Sequence, residues 1–103
     1  MLYNHCQVTT YHVDDAAWVG NLCSVRIDDD GSILVEYDDD GNTVQYLGRD
    51  VGGGHYVLDS KSIDGRATLH RTPKTDILEG FWIVRGYEGM WRIHLRGIQS
   101  IEI

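Results

Sequence analysis

No run of roughly eighteen apolar residues occurs in this chain, so no segment has the character of a membrane-crossing helix. The opening residues Met1–Thr10 lack a basic stretch followed by an apolar one, which argues against a secretory leader and favours a cytoplasmic setting. Cysteine is scarce. Cys6 and Cys23 are the whole complement, and without a leader they are expected as reduced thiols. Proline occurs once, as Pro73, in a 72–76 loop where no ladder hydrogen bond is required. Metal-ligand spacing is missing too: His5, His12, His55, His70 and His94 form no His-x-x-x-His and no i, i+2 pair, and the cysteines form no Cys-x-x-Cys. No metal or other cofactor is therefore expected. Gly52-Gly53-Gly54 is followed by neither Lys-Ser/Thr nor a helical pattern, which makes it a turn rather than a phosphate cradle.

Positive charge is also short, with nine Lys and Arg against sixteen Asp and Glu, a net of −7. The deficit sits in one half. Residues 1–50 hold ten acids against Arg26 and Arg49, whereas residues 51–103 hold six acids against seven bases. Duplex phosphates would repel the first half, so direct nucleic-acid binding is not expected. An apolar content of 42% indicates a single globular domain over residues 1–103, large enough to bury one core. Six Tyr and three Trp against one Phe supply amphipathic rings, which suit half-buried sheets and binding surfaces.

What the chain does have is an echo. Val25-Arg26-Ile27-Asp28-Asp29-Asp30-Gly31 returns as Val35-Glu36-Tyr37-Asp38-Asp39-Asp40-Gly41. Asp-Gly between alternating apolar residues is a strong hairpin signal. Side chains alternate faces along a strand, so the spacing of apolar residues across each turn predicts the loop length. Pairing Asp28 with Ser32 sets Ile27 against Ile33, Val25 against Val35 and Cys23 against Tyr37, which leaves the three-residue loop Asp29-Asp30-Gly31. Pairing Asp39 with Asn42 sets Tyr37 against Val44 and Val35 against Tyr46, which leaves the two-residue turn Asp40-Gly41. Successive hairpins turn at opposite ends, so the two acidic triplets are separated by about 20 Å and cannot share a cation. Neither completes an EF-hand loop, since Leu47 stands where the twelfth, acidic ligand would be when Glu36 is counted first.

The segment Leu78 to Leu95 alternates twice around Gly86-x-x-Gly89. Pairing Arg85 with Met90 sets Val84 against Trp91, Trp82 against Ile93 and Gly80 against Leu95, with Leu69 opposite Leu78 and Ala67 opposite Gly80. The pattern predicts strands at 7–12, 18–28, 32–38, 42–48, 53–59, 65–71, 77–85 and 90–96, and a short helical turn over Asp14-Asp15-Ala16-Ala17. The fold class is all-β: an antiparallel meander of seven to eight strands forming a small barrel or a strongly curled sheet. Leu78-x-Gly80-x-Trp82 followed by Gly89-x-Trp91-x-Ile93-x-Leu95 resembles the closing strands of lipocalin- and avidin-like barrels, over about 20 residues. That resemblance implies a barrel able to bind a small molecule. The chain is shorter than those families usually are, and small barrels fill with their own side chains, so a filled interior is expected.

With Trp82 and Trp91 turned inward, the outer face should carry Arg66, Phe81 and His94 in one row and Thr68, Glu79 and Arg96 in the next. Ile83 would lie beside Arg92, and Arg85 beside Met90. Apolar residues ringed by guanidinium groups have interface composition. The plainer reading is that another strand or a second copy covers this face merely to stabilise the fold. The leading functional expectation is a non-catalytic acidic protein that binds a protein partner through this face, as an inhibitor, immunity factor or accessory subunit. Open sheet edges and Phe81 also suggest self-association. The alternative is a small-molecule barrel whose mouth is lined by Trp18, Tyr37, Tyr46, Tyr56, Trp82 and Trp91. An enzyme ranks third. His55, Asp59 and Ser60 lie near one another in sequence without an elbow or oxyanion motif, and Cys23 falls on the inner face, where a thiol is inert packing.

Overall fold

Apolar side chains at alternate positions, interrupted at short intervals by Gly and Asp, give strands and little else. The computed structural model describes residues 1–12 and 17–99, by backbone alone at 18, 19, 98 and 99. Its strands are β1 (Leu2–His12), β2 (Trp18–Ile27), β3 (Ser32–Asp39), β4 (Asn42–Asp50), β5 (His55–Ser60), β6 (Gly65–Arg71), β7 (Ile77–Val84), β8 (Tyr87–His94) and the two-residue β9 (Ile98–Gln99). Each strand from β2 to β8 pairs antiparallel with the next, and β1 pairs with both β2 and β8. The meander therefore closes into an eight-stranded barrel, with β9 running on beside the first residues of β1. Closure removes the open edges on which self-association had been argued. No helix occurs among the described residues, and the turn expected at Asp14–Ala17 falls mostly on residues outside them.

The echoed segments form loops of different length. Ile27 pairs with Ile33, the Asp28 N–H donates to the Ser32 carbonyl at 3.0 Å, and Gly31 takes a φ of 89°. Asp39 pairs with Asn42, and Asp40 and Gly41 both take positive φ, 52° and 86°, as a primed two-residue turn demands. Asp30 accepts from the Ser32 hydroxyl and N–H, which holds its carboxyl below the usual range. The acidic triplets thus act locally, as turn chemistry.

The third hairpin differs from expectation. Its turn is Arg85-Gly86, with φ of 48° and 86°, and Val84 pairs with Tyr87, Trp82 with Gly89 and Gly80 with Trp91. The register is displaced by four residues in the paired sum, so every side chain keeps its expected face while its neighbours change. Gly89 is not a turn residue. A Cβ there would lie 1.8 Å from the Tyr11 carbonyl oxygen and 2.8 Å from Trp82 Cζ2, so the position is kept bare by packing. β6 is displaced likewise: Ala67 faces Trp82 rather than Gly80, and Arg71 rather than Leu69 faces Leu78.

β1 begins five residues earlier than the expected start at residue 7. Its register against β2 shifts between Tyr3 and Cys6, which puts both residues inside the barrel although they are an odd number of positions apart. A bulge of this kind reverses the alternation on which a strand is recognised. The core combines the inner faces of all eight long strands, including Cys6, Val25, Ile33, Val35, Leu69, Leu78 and Ile93 at 1% exposure or less.

Candidate functional site

The two ends of the barrel are built differently. One end carries the β2–β3, β4–β5 and β6–β7 connections, and Tyr3, Ile33, Tyr56, Leu69, Leu78 and Leu95 plug it with buried side chains. The other carries the β3–β4, β5–β6 and β7–β8 turns and opens into a cavity of about 670 Å³. That volume lies within the range of small-molecule sites.

Glycines accommodate the large rings near the cavity. Gly80 stands directly opposite Trp91, so the indole can lie across β7 and donate its N–H to the Thr68 carbonyl on β6 at 3.0 Å. Trp82 lies on Gly89 in the same way and donates to the Met90 carbonyl at 3.2 Å. Tyr46 reaches Gly65, where a Cβ would come to 2.5 Å from its hydroxyl, and meets Trp91 edge-on at 5.2 Å between ring centres. Tyr46 and Trp91 come from β4 and β8, four strands apart in the closed order, so their contact reaches across the interior. The interior is thus filled by side chains at the plugged end and beneath these rings, and the cavity is an open mouth rather than an enclosed chamber.

Polar groups collect toward the rim. Thr10 and His12 continue the inward phase of Val8 along β1, and His12 packs edge-on against Trp82 at 5.1 Å. Asp38 and Asp39 come from the end of β3, Asn21 from β2 and Arg85 from the β7–β8 turn. Asp38 is occupied by the turn, since the Gly41 N–H donates to its Oδ2 at 3.3 Å. Burial, reinforced by the Asp39 charge, pushes the Tyr37 phenol up to about 12, and burial pushes Tyr46 up as well. Both rings thus stay neutral near pH 7 and keep a donor hydroxyl.

Of the six residues expected at the mouth, Tyr37, Tyr46, Trp82 and Trp91 line the cavity. Tyr56 is buried but belongs to the plug, and the Trp18 side chain lies outside the described residues. Sequence reasoning missed Thr10, His12, Asp39, Ile63 and Val84. For Thr10 and His12 the signal was present, as they share Val8's phase; Ile63 projects from a turn and carries no periodicity.

The expected outer surface is split. Phe81, Ile83 and Met90 do face outward, at 38%, 39% and 51% exposure. Arg66 pairs with Ile83, and Phe81 rather than Arg85 pairs with Met90. Arg92 faces Glu79 and bonds it at 3.1 Å, in place of the expected Glu79–Arg96 pair, so Ile83 stands beside Glu88 instead. His94 pairs with Ile77 rather than joining Phe81's row. Arg96 lies past the end of β8, where its carbonyl accepts from the His5 N–H, and Arg85 belongs to the mouth. Leu47, Val57 and Arg49, which sequence reasoning omitted, extend the patch into a shallow groove with Arg66, Phe81 and Ile83.

His55 and Ser60 occupy opposite ends of β5, with Asp59 outward beside Arg66, so these three do not converge. His55 instead lies beside its cross-strand partner His70, ring centres 5.9 Å apart and planes tilted by 46°. Cys6 and Cys23 are cross-strand partners inside the barrel and form no disulfide. The Cys23 S–H holds Cys6 down to about 7 against burial, and the same contact together with burial pushes Cys23 up. No group of three or more metal-ligating side chains is found among the described residues.

The closed eight-stranded antiparallel barrel is consistent with lipocalin- and avidin-like architecture. Comparison with protein-family models, curated proteins and solved structures finds no match to the chain.

Proposed function

We propose that this protein binds a small, largely apolar molecule in the open end of its barrel. The observation that carries the reading is the cavity of about 670 Å³ walled by Tyr37, Tyr46, Trp82 and Trp91. The apolar body of a ligand would displace water from the indole and phenol faces, and polar groups at the rim would orient its exposed end. The proposed role is carriage or sensing.

Two of the three tryptophans are in the wall, so the test is optical. Titration with the neutral dye N-phenylnaphthylamine should quench tryptophan emission and saturate at one site per chain. Val84→Phe, which projects a ring into the cavity, should weaken the dye by about tenfold or more while the fold persists. Absence of saturable binding, or binding indifferent to Val84→Phe, would refute the reading.

A second reading rests on the outer wall. Leu47, Val57, Phe81 and Ile83 are exposed together, with Arg49 and Arg66 beside them. This composition suits an acidic protein surface with an apolar centre. A purified candidate partner whose binding survives Phe81→Asp, in a variant that still folds and still binds dye, would remove that reading.

A further inference from the structure

We propose that the mouth selects organic cations, specifically apolar amines whose ammonium group is held at Asp39. This rests on the small-molecule reading above and adds the ligand's charge. Asp39 is the last residue of β3, in phase with Val35 and Tyr37, whose side chains face the interior, and it lines the cavity. Its neighbour Asp38 serves the turn through Gly41, whereas the ion pairs among the described residues, Arg26–Asp28, Arg71–Asp76 and Arg92–Glu79, all leave Asp39 out. The carboxylate is close enough to the Tyr37 hydroxyl to hinder its ionisation. An ammonium placed there would meet a carboxylate on one side and aromatic faces on the other.

Those faces matter. The negative face of an aromatic ring attracts a cation, most strongly for Trp, and the attraction grows when water is excluded. Trp82 and Trp91 have their indole N–H groups tied to backbone carbonyls, which restrains the rings in the cavity lining. The net charge of −7 adds a field that draws cations toward the protein. A bare metal ion would leave most of the cavity unfilled, whereas an amine with an aromatic or aliphatic body would occupy it.

Arg85 is the competing feature. It lines the same rim and would favour a carboxylate. Both side chains are exposed at the rim, but Arg85 sits in the β7–β8 turn on a long side chain that can carry its charge into water, while Asp39 is short and held by the β3–β4 ladder. The geometry therefore favours the cation.

The test uses three ligands with one body, phenylbutylamine, phenylbutanol and phenylbutyrate, each competing against N-phenylnaphthylamine on the intact chain. The amine should bind about tenfold tighter than the alcohol, and the carboxylate weakest. Asp39→Asn, with the dye constant remeasured on the variant, should bring the amine down to the alcohol's level; a circular dichroism spectrum and Tm matching the parent chain report that the variant folds. Equal binding of amine and alcohol, a preference for the carboxylate, or an amine preference that survives Asp39→Asn would overturn the proposal while the cavity reading stands. Failure of the dye and all three ligands would overturn both.

Discussion

Replacing Gly89 and Gly86 separately by alanine discriminates between two registers of the β7–β8 hairpin. In the register set by the Gly-x-x-Gly spacing, both glycines border a four-residue turn, and both substitutions would cost little. In the barrel they differ. Gly86 has a φ of 86° and no atom within 4 Å of the point where a methyl group would stand, so alanine there meets only left-handed backbone strain. That strain amounts to about 1–2 kcal/mol. At Gly89 a Cβ would come within 1.8 Å of the Tyr11 carbonyl oxygen and 2.8 Å of Trp82 Cζ2. The first of these atoms belongs to the backbone of β1, which cannot rotate away, and it lies on the seam where the barrel closes. Relief requires β1 and β8 to separate locally or Trp82 to leave Gly89, and either change should cost roughly 3–5 kcal/mol. Thermal unfolding followed by circular dichroism reads both variants. At about 4–8 °C per kcal/mol for a domain near this size, Gly86→Ala should lower Tm by roughly 5–15 °C, and Gly89→Ala by considerably more or to the point of unfolding. Equal losses for the two variants would refute the register and the account of the seam together.

Trp91→Phe should cost about 2–3 kcal/mol in the same assay, combining a lost hydrogen bond to the Thr68 carbonyl with roughly 40 Å³ of unfilled volume; a loss under about 0.5 kcal/mol would show that the indole does not pack as described. The Tyr37 phenol, raised from 10.0 to about 12 by burial and then by the Asp39 charge, predicts alkaline destabilisation. Its proton leaves the unfolded chain first, so the contribution is intact below pH 10 and falls as pH rises toward 12. Tyrosinate absorbance should show Tyr37 and Tyr46 ionising only as the circular dichroism collapses, and titration of all six tyrosines near pH 10 in the folded barrel would contradict it. Cys6 and Cys23, at 0% and 5% exposure, should react slowly with a bulky aromatic disulfide reagent in the native protein and at once in guanidinium; rapid native reaction of either would place it at the surface.

The fold was legible wherever a strand keeps one phase between turns of recognisable chemistry. From Val25 to Tyr46 the apolar positions fix the facing pairs, and Asp-Gly fixes the turns, so both loop lengths followed. Two places resisted for opposite reasons. Across Tyr3 and Cys6 a bulge inverts the phase, so a real strand looks irregular. Around Gly86 and Gly89 the phase is intact but two glycines compete for the turn, and local sequence does not reveal that one is kept bare by Trp82 and Tyr11. Parity survived that slip because the displacement was even, which is why Phe81, Ile83 and Met90 were placed outward although their neighbours were wrong. The site was half legible. The aromatic wall follows from inward parity, but the rim depends on closure, which brings His12, Asp39 and Arg85 from distant hairpins to one opening.

Closure also sets the two ends of the barrel apart. The plug is made of side chains at the start or end of their strands, Ile33, Leu78 and Leu69 among them, each at 1% exposure or less. Truncating any of these leaves a cavity within a dry core, the costliest kind of substitution. Rim positions such as Thr10, Asp39 and Arg85 line the open mouth, so a change there should leave the packing of the wall intact. Between the two lie Trp82 and Trp91, which belong to both regions. They are buried almost as fully as the plug, yet their faces bound the cavity. A Cβ at Gly89 would meet Trp82, and one at Gly80 would meet the Thr68 carbonyl that Trp91 bonds, so a larger residue at either position would disturb the seat of an indole.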